Sequence, residues 1–161
     1  MVSVDWCCRQ EKGIRLVEPS QNISQGYISL AESSIGTMNR ERDKNIVFSI
    51  SAGYYSMYYS LCSVLIALGI KCEIHKCTIK FAEEFLRDFY NKEDIKTIYE
   101  AFSLRNSAQY YVNKILNEQE ILNLIKKSPI FVAKSMSILS SLNEKKIEEV
   151  RNRLKKRGLG E

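Results

Sequence analysis

The sequence predicts an all-α protein of four to five main helices plus a charged C-terminal helix, and three observations carry that prediction. Only two prolines and seven glycines punctuate the 161 residues, too few for many short strands joined by tight turns. Apolar residues recur at spacings of three and four through most of the chain, the period of a one-sided helix. From Asn45 to Ile70 there is no charged residue at all, in a chain that is 27% Asp, Glu, Lys and Arg.

That uncharged stretch is the organising element. Ile46, Ile50, Tyr54, Met57, Leu61, Val64, Leu65 and Leu68 form one apolar face of a helix, and Phe48, Tyr55, Tyr59, Cys62 and Ile66 form a second. Between them lies a small-residue stripe, Ser49, Ser56, Ser60, Ser63 and Ala67, with Gly53 nearby, where a neighbouring backbone can come close. A helix apolar nearly all round is the centre of a bundle, the seam of a dimer or a membrane span. Its tyrosines stand at its middle instead of its ends, five serines interrupt it, and there is no second hydrophobic segment, so no membrane association is expected.

The other elements follow in order. Residues 1–19 read as an irregular or extended lead, with Ile14, Leu16 and Val17 able to lie against the domain before Pro19 ends it, and Ser20 or Asn22 offers an N-cap for a first helix with Ile23, Tyr27, Leu30, Ala31, Ile35 and Met38 on its apolar face. Asn39 to Asp43 is a polar turn, with Asp43 available to cap the long helix, and Gly69 closes that helix where a left-handed residue is wanted. Phe81, Phe85 and Phe89, flanked by Ile79, Ala82 and Leu86, mark a third helix. A fourth begins near Asp94 with Ile95, Ile98, Tyr99 and Phe102 on one side, and its register runs on to Arg105 and Gln109. A guanidinium on the line of an apolar face needs either a partner or a cleft, because burying an unpaired charge is costly. Asn117, with Glu120 three residues on, caps a fifth helix carrying Ile121, Leu122, Ile125, Val132, Met136 and Leu139, which Pro129 is expected to kink or divide. Asn143 to Arg157 is a charged helix with only Ile147, Val150 and Leu154 to bury. The chain thus divides into a lead at 1–19, a bundle at 20–142, and a basic helix and tail at 143–161.

The net charge is +5, and residues 144–161 hold seven Lys and Arg against four Glu. Such a patch suits a nucleic acid or an acidic partner, but a solvated helix face is the commoner use and the one expected here. Five cysteines at irregular spacing, with no leader pattern ahead of them, read as free thiols of a cytoplasmic protein. Cys72, His75 and Cys77, even with Cys7 and Cys8, lack the repeated paired spacing of a zinc site, so neither metal nor cofactor is expected. The tyrosines at 54, 55, 58 and 59 read as packing and interface residues whose hydroxyls the serine stripe can satisfy.

Taken in order, a helix ending in a polar turn, the segment SAGYYSMYYSLCSVLIALGI, the segment EIHK leading into an aromatic helix, and LRNSAQYY before a last capped helix resemble the prokaryotic HEPN family over roughly Gly13 to Leu142. The lead KGIRLVEPS ahead of the Tyr27–Glu32 helix is similar to that of stand-alone archaeal and bacterial members. The resemblance implies an up-and-down helical bundle that forms a homodimer through its long helices, for which the second apolar stripe, Tyr55, Tyr59, Cys62 and Ile66, would serve. It also implies a ribonuclease toxin paired with a minimal nucleotidyltransferase antitoxin. The family signature is an arginine, a polar neighbour, and a histidine four to six residues on. Arg105 and Asn106 match its first half, but Tyr110, Tyr111 and Val112 occupy the histidine spacing.

RNA cleavage without a metal needs groups that exchange protons near neutrality, which histidine does and tyrosine does poorly. The one histidine, His75, begins the third helix, where a ring satisfied by nearby backbone is the plainer expectation; a role in the site would require it to reach Arg105. Three functions follow. A binding protein would hold RNA or a nucleotide, or a nucleotidyltransferase, around Arg105, Asn106, Tyr110, Tyr111 and His75. An active ribonuclease would use Arg105 and Asn106 in catalysis. A structural adaptor would only dock another protein. The first ranks slightly ahead.

Overall fold

The structure, a computed structural model, describes residues 2–111, 113 and 115–157. Val112, one of the positions at histidine spacing from Arg105, and the tail beyond Arg157 lie outside the described residues. In chain order the elements are α1 (Val4–Cys8), β1 (Arg15–Leu16), α2 (Gln21–Glu41), α3 (Ile46–Ala67), β2 (Ile70–Lys71), α4 (His75–Phe85), α5 (Lys92–Tyr110), α6 (Glu118–Ser141) and α7 (Glu144–Lys155). The expected all-α bundle is what forms. Its one sheet among the described residues is the two-residue antiparallel pairing of β1 with β2.

The uncharged helix is α3, and it is central because it must hide nearly every face. Ile50, Tyr54, Met57, Leu61 and Val64 are wholly buried. The serine stripe lets α2 lie close: Ser49 Oγ donates to the Met38 carbonyl and Ser63 Oγ to the Ser24 carbonyl, each at 2.8 Å. Higher positions on α3 meet lower ones on α2, so the pair is antiparallel. On α6, Ser135 Oγ donates to Ser60 Oγ at 3.2 Å and lies 2.7 Å from the Tyr90 hydroxyl, a fully buried chain of hydroxyls. A Cβ at Gly53 would stand 2.9 Å from Met38 Sδ and 3.1 Å from Leu124, so two side chains fill the space that glycine leaves.

Several helix ends follow the sequence closely. Ser20, Asn117 and Asn143 accept from the backbone N–H three residues on, as N-caps do. The long helix, however, is capped by Asn45 and not by Asp43. The fourth helix starts two residues before Asp94, because Asn91 and Asp94 exchange side-chain and backbone bonds at 2.9 and 2.7 Å in a reciprocal cap.

Two apolar faces are rotated from those expected. On α2 the inward line is Ser24, Ile28, Ala31 and Met38, while Ile23 and Leu30 are about half exposed. On α6 it is Leu124, Ser128, Phe131, Val132, Ser135 and Ile138, leaving Leu122 and Met136 partly exposed. In both cases small serines, not the nearest aliphatic residues, face α3, because close helix approach demands them. Pro129 does not divide α6; it sits on the solvent side, where the carbonyl it leaves unbonded can be hydrated.

The lead and the C-terminal helix are both built into the bundle. The lead is extended at Arg15–Leu16, which pair with Lys71–Ile70, and Ile14 is buried, but residues 4–8 form a helical turn that was not expected. Cys7 is bonded to Cys77, which corrects the expectation of five free thiols; Cys8, Cys62 and Cys72 remain free. The two partners are 70 residues apart and meet only because α1 folds back on α4. On α7, Val150 and Leu154 are buried and the basic residues close helix ends. Arg151 Nη1 donates to the carbonyls of Gly69 at 2.7 Å and Val17 at 2.8 Å, and Arg153 Nη2 donates to that of Phe85 at 2.9 Å. Phe85 ends α4 and Gly69 lies just past the end of α3, where cations are favoured; the Gly69 carbonyl also accepts from the Val17 N–H at 2.9 Å. Gly69 takes φ +70°, the left-handed turn expected of it. Among the described residues no helix is long and apolar enough to cross a membrane.

Candidate anion-binding site

Three helices converge on one cluster. α3 contributes Tyr54, Tyr55, Tyr58 and Tyr59, whose spacing of one and four puts them on adjoining faces of a single turn and the next. α4 contributes His75, its first residue, delivered there by the short turn at Gly69. α5 contributes Phe102, Arg105 and Asn106 one turn apart, with Tyr110 at its end.

Arg105 is half-buried among rings. Its Nη2 donates to the Tyr55 hydroxyl and its Nη1 to Asn106 Oδ1, each at 3.0 Å. Its Nε is buried without a hydrogen-bond partner among the described residues. The guanidinium carbon lies 5.5 Å from the centre of the Tyr55 ring, 5.7 Å from Tyr110 and 6.0 Å from Tyr54. None of the ion pairs among the described residues involves it, so no carboxylate neutralises this charge.

His75 lies in the same cage. Its Nδ1 is 2.7 Å from the Tyr54 hydroxyl, and its ring stacks on Tyr58 with centres 4.0 Å apart. Tyr54, Tyr55 and Phe102 complete its surroundings at 5.7, 5.9 and 6.3 Å. A tyrosine hydroxyl therefore takes the place of the backbone partner expected for this ring. Burial, and then the positive charge of Arg105, hold its pKa below the ordinary histidine value. Burial pushes Tyr54 and Tyr58 up, so both phenols stay protonated at neutral pH.

Of the residues singled out in the sequence, the structure thus brings Arg105, Asn106, Tyr110, Tyr55 and His75 together. Tyr110 and Tyr111 are both about two-thirds exposed, but only Tyr110 lies over the guanidinium. Of the stripe expected to face a twin subunit, Cys62 and Ile66 are 8% and 6% exposed, and Tyr55 and Tyr59 are partly buried, Tyr59 stacking on Tyr55 and Tyr27. An interface through all four side chains would find two of them already buried. Tyr54, Tyr58 and Phe102 belong to the cage although they were read as core. The signal was present, since Phe102 precedes Arg105 by one turn and Tyr54 and Tyr58 are one turn apart. Among the described residues no three His, Cys, Asp or Glu side chains converge as metal ligands.

A fixed cation with aromatic walls, an unsatisfied N–H and no counter-charge is an arrangement that attracts an anion. The imidazole beside it, which burial and Arg105 favour in the neutral form, can accept a hydrogen bond or a proton.

No protein-family model matches the chain. Over 100 residues, 60% of this chain and 67% of the relative, it is 32% identical to a Methanocaldococcus jannaschii protein named Putative toxin MJ0142. A match of that identity and extent puts the two proteins together, and the chain belongs to the family of this archaeal toxin-type protein.

Proposed function

We propose that this chain is a toxin-type protein that binds RNA through Arg105, whose guanidinium holds a backbone phosphate while Tyr110 offers a ring to the adjoining base. The observation that carries this reading is the half-buried guanidinium with no carboxylate and a buried Nε that lacks an acceptor. Phosphate oxygens suit such a planar donor set, and exposed rings beside a cation suit single-stranded nucleic acid. The toxin name of the relative and the resemblance to HEPN proteins support the same direction. They also make a minimal nucleotidyltransferase the first partner to look for, and a homodimer the assembly to test. Binding of labelled single-stranded RNA, measured for the native chain and for Arg105→Ala, tests the proposal. Equal affinity of the two proteins would remove it.

A second reading, an active metal-independent ribonuclease, is favoured by His75 standing in the arginine's cage. In the tautomer whose Nδ1–H donates to Tyr54, Nε2 is a free base. It would take the proton of a 2′-hydroxyl as that oxygen attacks the phosphorus, and Arg105 would balance the charge gathering on the phosphoryl oxygens. The departing 5′-oxygen must still receive a proton, from water or from the protonated imidazole. Purified chain should then cut RNA in the presence of a chelator and lose that activity in His75→Asn. Intact RNA after prolonged incubation would leave the binding function alone standing.

A further inference from the structure

Beside the arginine cage lies a groove of about 660 Å³ between α1, α4 and α5, lined by Trp6, Lys76, Lys80, Glu83, Tyr99 and Phe102, with Val2 at its edge. Phe102 is shared. One side of its ring meets Tyr54 at 5.6 Å and His75 at 6.3 Å, inside the cage, while the residue also walls the groove. Phe102 and Arg105 are one helical turn apart on α5, about 5 Å along its axis. The groove therefore continues the arginine site instead of forming a separate pocket.

Its lining combines two features that point to one kind of ligand. Trp6 is a large ring left 45% exposed, and its indole N–H has no partner among the described residues. Lys76 is exposed and makes neither an ion pair nor a hydrogen bond among the described residues, whereas Lys80 is held by Glu83 at 2.8 Å and Glu84 at 3.5 Å. Among the described residues the groove thus offers a flat apolar face and an unpaired cation, with its carboxylate already neutralised. The walls are also fixed: Cys7 follows Trp6, Cys77 follows Lys76, and the two cysteines are bonded to each other.

We infer that this groove is a second nucleotide subsite, in which Trp6 stacks on a base and Lys76 meets the phosphate next to the one on Arg105. The inference rests on the RNA-binding reading and extends it, assigning the site at least two consecutive nucleotides of a single strand. Sequence-tolerant stacking and point-charge contact are how single strands are held without reading their letters.

Trp6 is the only tryptophan in the chain, so its emission reports this groove alone. The full-length protein is titrated with a short oligouridine, following Trp6 fluorescence and, in parallel, the anisotropy of the same RNA carrying a dye. Saturable quenching that tracks the anisotropy is expected, with Lys76→Ala and Trp6→Leu each weakening binding by roughly fivefold or more. RNA that binds while Trp6 emission stays constant, with both variants as tight as the native chain, would overturn the subsite and leave the Arg105 site intact. Absence of RNA binding by the native chain would instead remove both. Circular dichroism of the variants separates lost binding from lost folding; should Trp6→Leu unfold, the surface variant Lys76→Ala decides alone.

Discussion

Arg105 Nη2 donates to the Tyr55 hydroxyl at 3.0 Å while its Nε, one atom group away, is buried without an acceptor. The side chain is held in place yet not satisfied, and a ligand oxygen would complete it. Arg105→Ala should therefore weaken RNA binding by about tenfold or more, roughly 1.4 kcal/mol on the affinity scale. It should cost the fold about 1–2 kcal/mol, because the guanidinium loses its hydrogen bonds to Tyr55 and Asn106 but no ion pair. Arg105→Lys keeps the charge but not the fork and should recover only part of the affinity. Filter binding paired with urea denaturation checks both halves.

His75 gives the fold a pH dependence of known sign. Its folded pKa is lowered by burial and by Arg105, whereas the unfolded chain takes up a proton near the ordinary value of about 6.5. This contribution to stability is constant above the unfolded value, and it is lost progressively as the pH falls through that value toward the folded one. His75→Asn should flatten that stretch of the urea-midpoint profile. Because the chain has a single histidine, its imidazole proton resonance gives the folded titration directly, and a midpoint at or above the ordinary value would contradict the cage.

The buried hydroxyl chain makes a sharper stability test. Tyr90 is fully buried, and Ser135 is the side-chain partner of its hydroxyl, with Ser60 next in line. Ser135→Ala should strand the Tyr90 hydroxyl and cost about 1–3 kcal/mol. Pairing it with Tyr90→Phe should restore part of that loss, which a double-mutant cycle in urea would measure.

Thiol counting tests the disulfide. Of five cysteines, Cys7 and Cys77 are bonded, burial pushes Cys62 up to about 12, and burial with the nearby Asp5 charge pushes Cys8 up to about 11. Alkylation of the native chain near neutral pH should be slow, three thiols should react after unfolding, and five after unfolding with reductant. Reduction should also lower stability by about 2–4 kcal/mol, since the bond closes a long loop. Equal denaturation midpoints with and without reductant would count against it.

What could be read from the sequence was what depends on neighbours along the chain. The uncharged Asn45–Ile70 segment had to be a central helix, the Ser20 and Asn117 caps lie next to the backbone they bind, and Phe81 and Phe85 are one turn apart on α4, although that helix ends at Phe85, short of Phe89. The faces of α2 and α6 misled because a serine on a helix looks polar until another helix is pressed against it: Ser24 and Ser135 are inside, and Ile23 and Leu122 are largely outside. Arg105 was conspicuous as a charge in an apolar register. That His75 shares its cage depends on how the turn after Gly69 aims α4 at α5, which no local pattern encodes. The Cys7–Cys77 bond was hidden for the same reason, since it joins the folded-back lead to a helix 70 residues away.

The reach of Arg151 has a consequence for how the protein is made. This one side chain joins the carbonyls of Val17 and Gly69, the first of them 134 residues earlier in the chain. During synthesis α7 leaves the ribosome after every other helix of the bundle, so the floor of α3 stays open while the rest assembles. Folding of this chain is therefore expected to finish only after α7 has emerged, and a nascent toxin-type chain would pass through translation before its cage is locked. Ribosome-bound chains halted after Leu142 should be markedly more sensitive to protease than the released 161-residue chain.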